Sequence, residues 1–389
     1  MLVAVLLAVL GLVGVAVVTQ RYGLRLGGTI TVGVLAVYTL KNVVMLPVFV
    51  LSTLIAFVGL WLLKQRTLLY GRDELVAAIL IGSAVPLAIL LALTGLVGDR
   101  LREVVFIGSI LPGLAAYNYH QLKPEYRLQD VGAMVGLYAA LLVLGWLLVS
   151  PSTVQLLGSP TPSVLFAETA DVAVLRDATV PSTTEPVIIP RAQVVVLLLV
   201  GMGLAEAARS RFGVRPGIIS LALLSVYALV SAWLVVLYVV LLFGAFLFVE
   251  LLNRETLLYG RVLIGLGTAF ALVLAVPLTV YSPVTRGLSA VFVAILAGVN
   301  AYNRHVTPAV DRKTRTALVV ALFVPLFLLA LFVGDPTADG LVTALTLPTG
   351  FGLAVLGVVA LALTYAFDVP RPDDEAVFEG SVLSGGDGA

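Results

Sequence analysis

The sequence predicts an all-α polytopic membrane protein of about 13 transmembrane or half-membrane helices, arranged as two parallel repeats plus one extra C-terminal span. Three observations carry this reading. First, 60% of the 389 residues are hydrophobic and 12% charged, with a mean hydropathy of +1.11, against about 45–50% apolar and about 25% charged in soluble domains. Second, the apolar runs are continuous and rich in Leu, Val and Ala; lipid admits only helices and closed barrels, and barrel strands would alternate. Third, short strings recur in the same order. Leu68-Leu69-Tyr70-Gly71-Arg72 returns as Leu257-Leu258-Tyr259-Gly260-Arg261. Upstream, Arg21-Tyr22-Gly23-Leu24-Arg25 faces Arg211-Phe212-Gly213-Val214-Arg215, and downstream Ala84-Val85-Pro86-Leu87 faces Ala275-Val276-Pro277-Leu278. Gly113 to His120 then faces Gly298 to His305. Collinear recurrence of this kind is the signature of an internal duplication.

Spans of about 20 apolar residues suffice to cross a bilayer. They fall at residues 1–19, 43–63, 75–95, 131–150, 192–208, 232–252, 262–282, 317–333 and 341–367. The first is apolar but lacks the basic leader and small-residue cleavage site of a signal peptide, so it reads as a retained span. Four shorter stretches lie between the long ones: Leu26 to Leu40, Val104 to Tyr117, Pro216 to Val230 and Leu288 to Tyr302. They match pairwise across the halves. The expected organisation is a first membrane repeat at 1–150, a Ser/Thr/Pro-rich linker at 151–191, a second repeat at 192–335, an unmatched helix at 341–367 and an acidic, disordered tail at 368–389. A short β-hairpin is expected in the linker, around Val172 to Leu175 and Val187 to Ile189.

If all thirteen segments cross, Lys and Arg fall on alternate connections. These hold Arg21 and Arg25; Lys64, Arg66 and Arg72; Lys123 and Arg127; Arg209, Arg211 and Arg215; Arg254 and Arg261; and Arg304, Arg312, Lys313 and Arg315. The positive-inside rule makes them cytoplasmic, with the N-terminus and the linker outside and the C-terminus inside a cell membrane. Six spans per copy give both copies the same orientation, related by an axis along the membrane normal.

The net charge of +1 gives no argument for nucleic acid, and the absence of cysteine excludes disulfides and thiolate chemistry. There is no P-loop, His-Glu-x-x-His or nucleophile elbow, and no ionisable residue near the middle of a span, which disfavours an ion-coupled antiporter. No catalytic residue, metal site or cofactor is predicted.

Two groups of candidates remain. Tyr70, Gly71 and Arg72 with Tyr259, Gly260 and Arg261 sit where one span turns into the next, and Arg25 and Arg215 lie in the preceding basic connections. An Arg beside a glycine turn presents a planar fork to phosphate or carboxylate; Tyr and Arg are also ordinary interfacial anchors. The second group is Pro112 and Gly113, expected to break a short helix, with Asn118 and His120 after them, matched by Gly298, Asn303 and His305. Broken helices line cavities or bury against protein, while a plain kinked span would carry the same residues. His120 and His305 are the chain's two histidines, and imidazole can donate, accept or carry a proton.

These blocks resemble the PgsC/CapC family, the small membrane subunit of poly-γ-glutamate synthase and capsule-biosynthesis complexes. The Gly-rich stretch from Gly23 to Ala36, then Leu69-Tyr70-Gly71-Arg72, then Ile107-Gly108-Ser109-Ile110-Leu111-Pro112-Gly113-Leu114-Ala115 carry the likeness. It covers about 1–150 and more faintly 192–335, with Val32 where the family commonly has Pro and two copies fused where the family usually has one. The resemblance implies a non-catalytic subunit that anchors a separate cytoplasmic, ATP-dependent amide ligase, assembles with other synthase subunits and assists passage of a polyanionic product. A two-repeat transporter or channel for an anion and a plain membrane scaffold are the competing readings.

Overall fold

The computed structural model describes residues 1–93, 110–181 and 191–369, and among these it is helical throughout, with no strand. Fourteen α-helices follow one another: α1 (Leu2–Tyr22), α2 (Thr31–Lys41), α3 (Met45–Arg66), α4 (Arg72–Leu93), α5 (Ile110–His120), α6 (Arg127–Leu148), α7 (Asp171–Leu175), α8 (Arg191–Phe212), α9 (Ile218–Val230), α10 (Ala232–Thr256), α11 (Gly260–Val280), α12 (Gly287–His305), α13 (Arg312–Val333) and α14 (Leu347–Phe367). Among the described residues, seven helical segments are long and apolar enough to cross a membrane: α1, α3, α6, α10, α11, α13 and α14. Both α4 and α8 reach 22 residues. Among the described residues each expected span, long or short, overlaps an α-helix, and α7 is the one α-helix outside them.

The long helices carry almost no amphipathic signature because both faces are apolar, one against protein and the other against lipid. In α6 the buried residues are Asp130, Leu141 and Gly145, while α14 buries Ala360 and Thr364; both are peripheral. By contrast α2 is buried from Thr31 to Leu40. Its 11 residues rise only about 16 Å, half of a ~30 Å hydrocarbon core.

What precedes α2 is irregular backbone. From Gly23 the chain runs non-helically to Thr29, with Leu24 and Leu26 buried, and turns through left-handed conformations at Leu26, Gly27 and Gly28. The second half does likewise between Gly213 and Gly217, both at positive φ, before α9. Irregular backbone in a membrane protein is tolerated where it is buried in protein, as Leu24, Leu26 and Val214 are. Here lies the break that the sequence reading placed at Pro112 and Gly113. Pro112 sits in the first turn of α5, where its missing N–H costs no helical bond, and α12 runs unbroken through Gly298. The earlier part of that stretch, from 104, lies outside the described residues.

Glycines set the closest crossings. A Cβ on Gly82 would stand 2.6 Å from the backbone N of Gly113, and one on Gly113 would stand 2.5 Å from the carbonyl of Ala78, so α4 and α5 touch backbone to backbone. In α12 a Cβ on Gly298 would fall on the Cα of Thr268 in α11. Gly11 of α1 meets Gly33 of α2 in the same manner. Close approach of this kind holds membrane helices together by dispersion, since lipid gives no hydrophobic drive between them. One continuous core runs from α1 to α13.

In the linker, the expected strand from Val172 to Leu175 is instead the one-turn α7, whose first residue caps a neighbour: Asp171 Oδ2 accepts the N–H of Val43 at 2.8 Å. A carboxylate able to accept a backbone N–H favours a turn over a strand. The second expected strand, at 187–189, and the tail from 370 lie outside the described residues.

Candidate functional site

The basic connections meet at one end of the bundle, tied by polar contacts. Asp130, in the first turn of α6 and 2% exposed, accepts the backbone N–H of Arg25 at 2.6 Å and of Leu26 at 2.8 Å. Two N–H groups aimed at one carboxylate satisfy donors that the left-handed turn at Leu26 leaves unpaired. In the second half Arg315 of α13, 4% exposed, donates from Nε to the carbonyl of Arg215 at 3.1 Å. Glu74 is buried at the same end, accepting from Lys64 Nζ at 2.8 Å and Gln121 Nε2 at 2.7 Å.

The two copies of the Leu-Leu-Tyr-Gly-Arg string share a positive-φ glycine, while Leu257 is left-handed and Leu68 is not. Gly71 has φ +63° and Gly260 +62°, each with open space where a Cβ would go, so glycine is required by the backbone and not by crowding. Tyr70 and Tyr259 are 81% and 83% exposed and project from the bundle as interfacial aromatics. The arginines turn inward and reach across the molecule. Arg72 Nε donates to Glu206 of α8 at 3.2 Å, and Glu206 also pairs with Arg209. Arg209 lies 3.9 Å from Asp73. In mirror fashion, Arg261 of the second half has Arg25, Tyr117 and Asp130 of the first half as its charged and polar neighbours, and its buried Nη1 has no hydrogen-bond partner. Each string thus abuts the helix end and connection of the opposite half, with Arg215 near Arg72 and Arg25 near Arg261.

The second group of candidates divides. Asn118 donates from Nδ2 to the carbonyls of Leu114 at 2.8 Å and Gly27 at 3.3 Å, bracing the irregular segment before α2. The matching contact in the second half comes from Asn300, not Asn303: Asn300 Oδ1 accepts from Ser220 at 3.2 Å, and its Nδ2 donates to Tyr238 Oη at 2.8 Å. Asn300 lies one helical turn before Asn303, on the same face of α12. In both halves the asparagine stands against a positive-φ glycine, Gly28 or Gly217. Asn303 contributes its carbonyl to Thr307 at 2.7 Å.

The histidines are the last residues of α5 and α12 rather than loop residues, and their surroundings differ. His120 stacks on Phe57 with centroids 4.3 Å apart, and its Nε2 lies 3.0 Å from the carbonyl of Phe57. His305 Nδ1 is 3.2 Å from Glu250 Oε1, off the hydrogen-bond axis, while Arg312 donates to the same oxygen at 2.8 Å. Sequence reading missed Asp130, Glu74, Glu206, Asn300 and Arg315, which organise this end. A signal for two of them existed: Asp130 and Arg315 stand at corresponding places, each a few residues after a one-turn 3-10 helix that follows the histidine.

The arrangement offers a rigid, cation-rich end built on paired arginines. No curated protein and no solved structure matches the chain. Residues 10–128 do match one family model, described as capsule biosynthesis CapC. That stretch holds the glycine turn before α2, the Tyr70-Gly71-Arg72 string and Pro112-Gly113, so the likeness read from these motifs stands: residues 10–128 are similar to the capsule biosynthesis CapC family.

Proposed function

We propose that the chain is the membrane subunit of a synthase making poly-γ-glutamate or a like capsule polymer, with two copies of one membrane unit fused in tandem. Its basic end faces the cytoplasm and docks an ATP-dependent amide ligase. The observation that carries the reading is the family match over residues 10–128, since capsule formation needs a membrane partner for enzymes that work on soluble precursors. The tandem reading is supported by paired features: left-handed glycines at 71 and 260, at 23 and 213, and at 28 and 217, and backbone-to-backbone crossings at Gly113 and Gly298.

In this reading Arg72 and Arg261, with Arg25 and Arg215 beside them, supply forks for the acidic polymer or for acidic groups of the ligase. The test is the double variant Arg72→Ala with Arg261→Ala in the native host. Polymer yield and ligase co-purification are expected to fall together; unchanged values for both remove the arginines from the proposal. Flux of a small anion through vesicles holding the purified chain alone would replace the synthase reading with a transporter.

A further inference from the structure

Helix α14, which follows the second half, forms a groove with α13 that has the polarity of a phospholipid. The cavity between them is about 490 Å³. Its mouth is cationic, formed by Arg304 at the end of α12 and by Arg312 and Lys313 at the start of α13. Its body is apolar, with Val320 on α13 and Leu356 and Leu363 on α14 along its walls. Leu356 and Leu363 remain 49% and 44% exposed, so the groove opens sideways, toward the bilayer, and not to a protein interior.

The cations are held in place before any ligand arrives. Arg304 Nη1 donates to Thr316 Oγ1 at 3.1 Å, and the guanidinium carbons of Arg304 and Arg312 lie 5.5 and 5.3 Å from the ring centre of Phe246. Arg312 is anchored by Glu250. Lys313 is exposed at the rim. The far wall is fixed too: Thr314 donates to the carbonyl of Phe367 at 2.6 Å, and Arg211 pairs with Asp368 at 3.6 Å, pinning the end of α14 beside the mouth.

We propose that this groove binds an anionic phospholipid from the surrounding leaflet, its phosphate at Arg304 and Lys313 and one acyl chain between α13 and α14. Charge complementarity selects the occupant. Basic pockets between transmembrane helices recruit anionic headgroups, whereas a second protein helix would leave the rim cations uncovered. The site is independent of the arginine strings and of the synthase reading.

Full-length protein reconstituted in nanodiscs of mixed phosphatidylglycerol and phosphatidylcholine tests it, with retained lipid counted by native mass spectrometry after release. Wild type is expected to keep phosphatidylglycerol preferentially, and Arg304→Gln with Lys313→Gln to lower that preference about tenfold or more. Leu363→Trp, which fills the groove, should reduce retention of both lipids. Arg66→Gln with Lys123→Gln, changes at exposed positions of the same end, serves as the charge control and should leave the preference intact. Equal retention of the two lipids by wild type, an unchanged preference in the Arg304/Lys313 variant, an equal loss in the control, or displacement of the lipid by inorganic phosphate would each overturn the assignment.

Discussion

Asp130 and Arg315 hold corresponding turns with opposite charge. The first accepts the backbone N–H groups of Arg25 and Leu26 at 2.6 and 2.8 Å, and the second donates to the backbone carbonyl of Arg215 at 3.1 Å. A peptide unit offers a donor and an acceptor, so a buried side chain of either sign can fasten an irregular segment, provided it meets the right end of the dipole. The same solution is reached from two chemistries.

Asp130→Ala should therefore be among the most damaging substitutions at this end. It removes the acceptor for one buried and one half-buried N–H group, and a cost of about 3 kcal/mol is expected from charge-assisted bonds and orphaned donors. Thermal unfolding in detergent measures it. A loss below about 1 kcal/mol would mean that water or another side chain replaces the carboxylate.

Gly71→Ala and Gly260→Ala should each cost about 1 kcal/mol, because the left-handed backbone and not space demands glycine there. Asn, which tolerates that conformation, should cost less than Ala at both sites. If Ala and Asn prove equal in melting temperature, the turn does not keep its positive φ.

Gly113→Ala and Gly298→Ala should behave differently, since an added methyl meets backbone: the carbonyl of Ala78 at 2.5 Å in one case, the Cα of Thr268 in the other. Backbone yields poorly, so about 1–3 kcal/mol is expected, as for overpacked cores. Gly132→Ala, with open space around it, is the control and should be neutral or slightly stabilising. Indistinguishable stabilities for the three variants would contradict the close crossings.

Orientation can be read without background, because the chain has no cysteine. Tyr70→Cys and Tyr259→Cys, at positions 81% and 83% exposed, should react with an impermeant maleimide only when the cytoplasmic face is open to it. Leu156→Cys in the linker should react from outside on intact cells. Labelling of Tyr70→Cys on intact cells would invert the topology proposed above.

Helix positions were legible because composition alone supplies them: a run of about twenty apolar residues between charged ends has one stable form in lipid. The ends shifted by a few residues, as for α3, which continues to Arg66, because polar residues complete a final turn at the interface. The buried irregular segments were harder to see. Gly27-Gly28 and Pro216-Gly217 announce them, yet Leu24, Leu26 and Val214 keep the hydropathy high, and apolar content reads as helix. In sequence Asp130 is an acidic residue beside the basic Lys123 and Arg127 with nothing to mark it; only the packing of α6 against the turn at Leu26 buries it. Arg72 and Arg261 stand at the start of α4 and α11, but their reach into the opposite half is a tertiary fact that no local pattern encodes. Pro112 misled for a positional reason: the same residue that breaks a helix interior is at ease in a first turn.

The packing of α1 against α11 imposes a timetable on synthesis. α1 emerges from the ribosome before α11 and buries nine of its residues, but the helix that covers this flank, with Gly265 opposite Leu12 and Ala16, is complete only at Val280. In the interval α1 must wait in the bilayer or the insertion machinery with that flank uncovered. Carrying both partners on a single polypeptide makes the eventual meeting intramolecular, at an effective concentration on the order of millimolar, and so shields the nascent first half from pairing with a neighbouring chain.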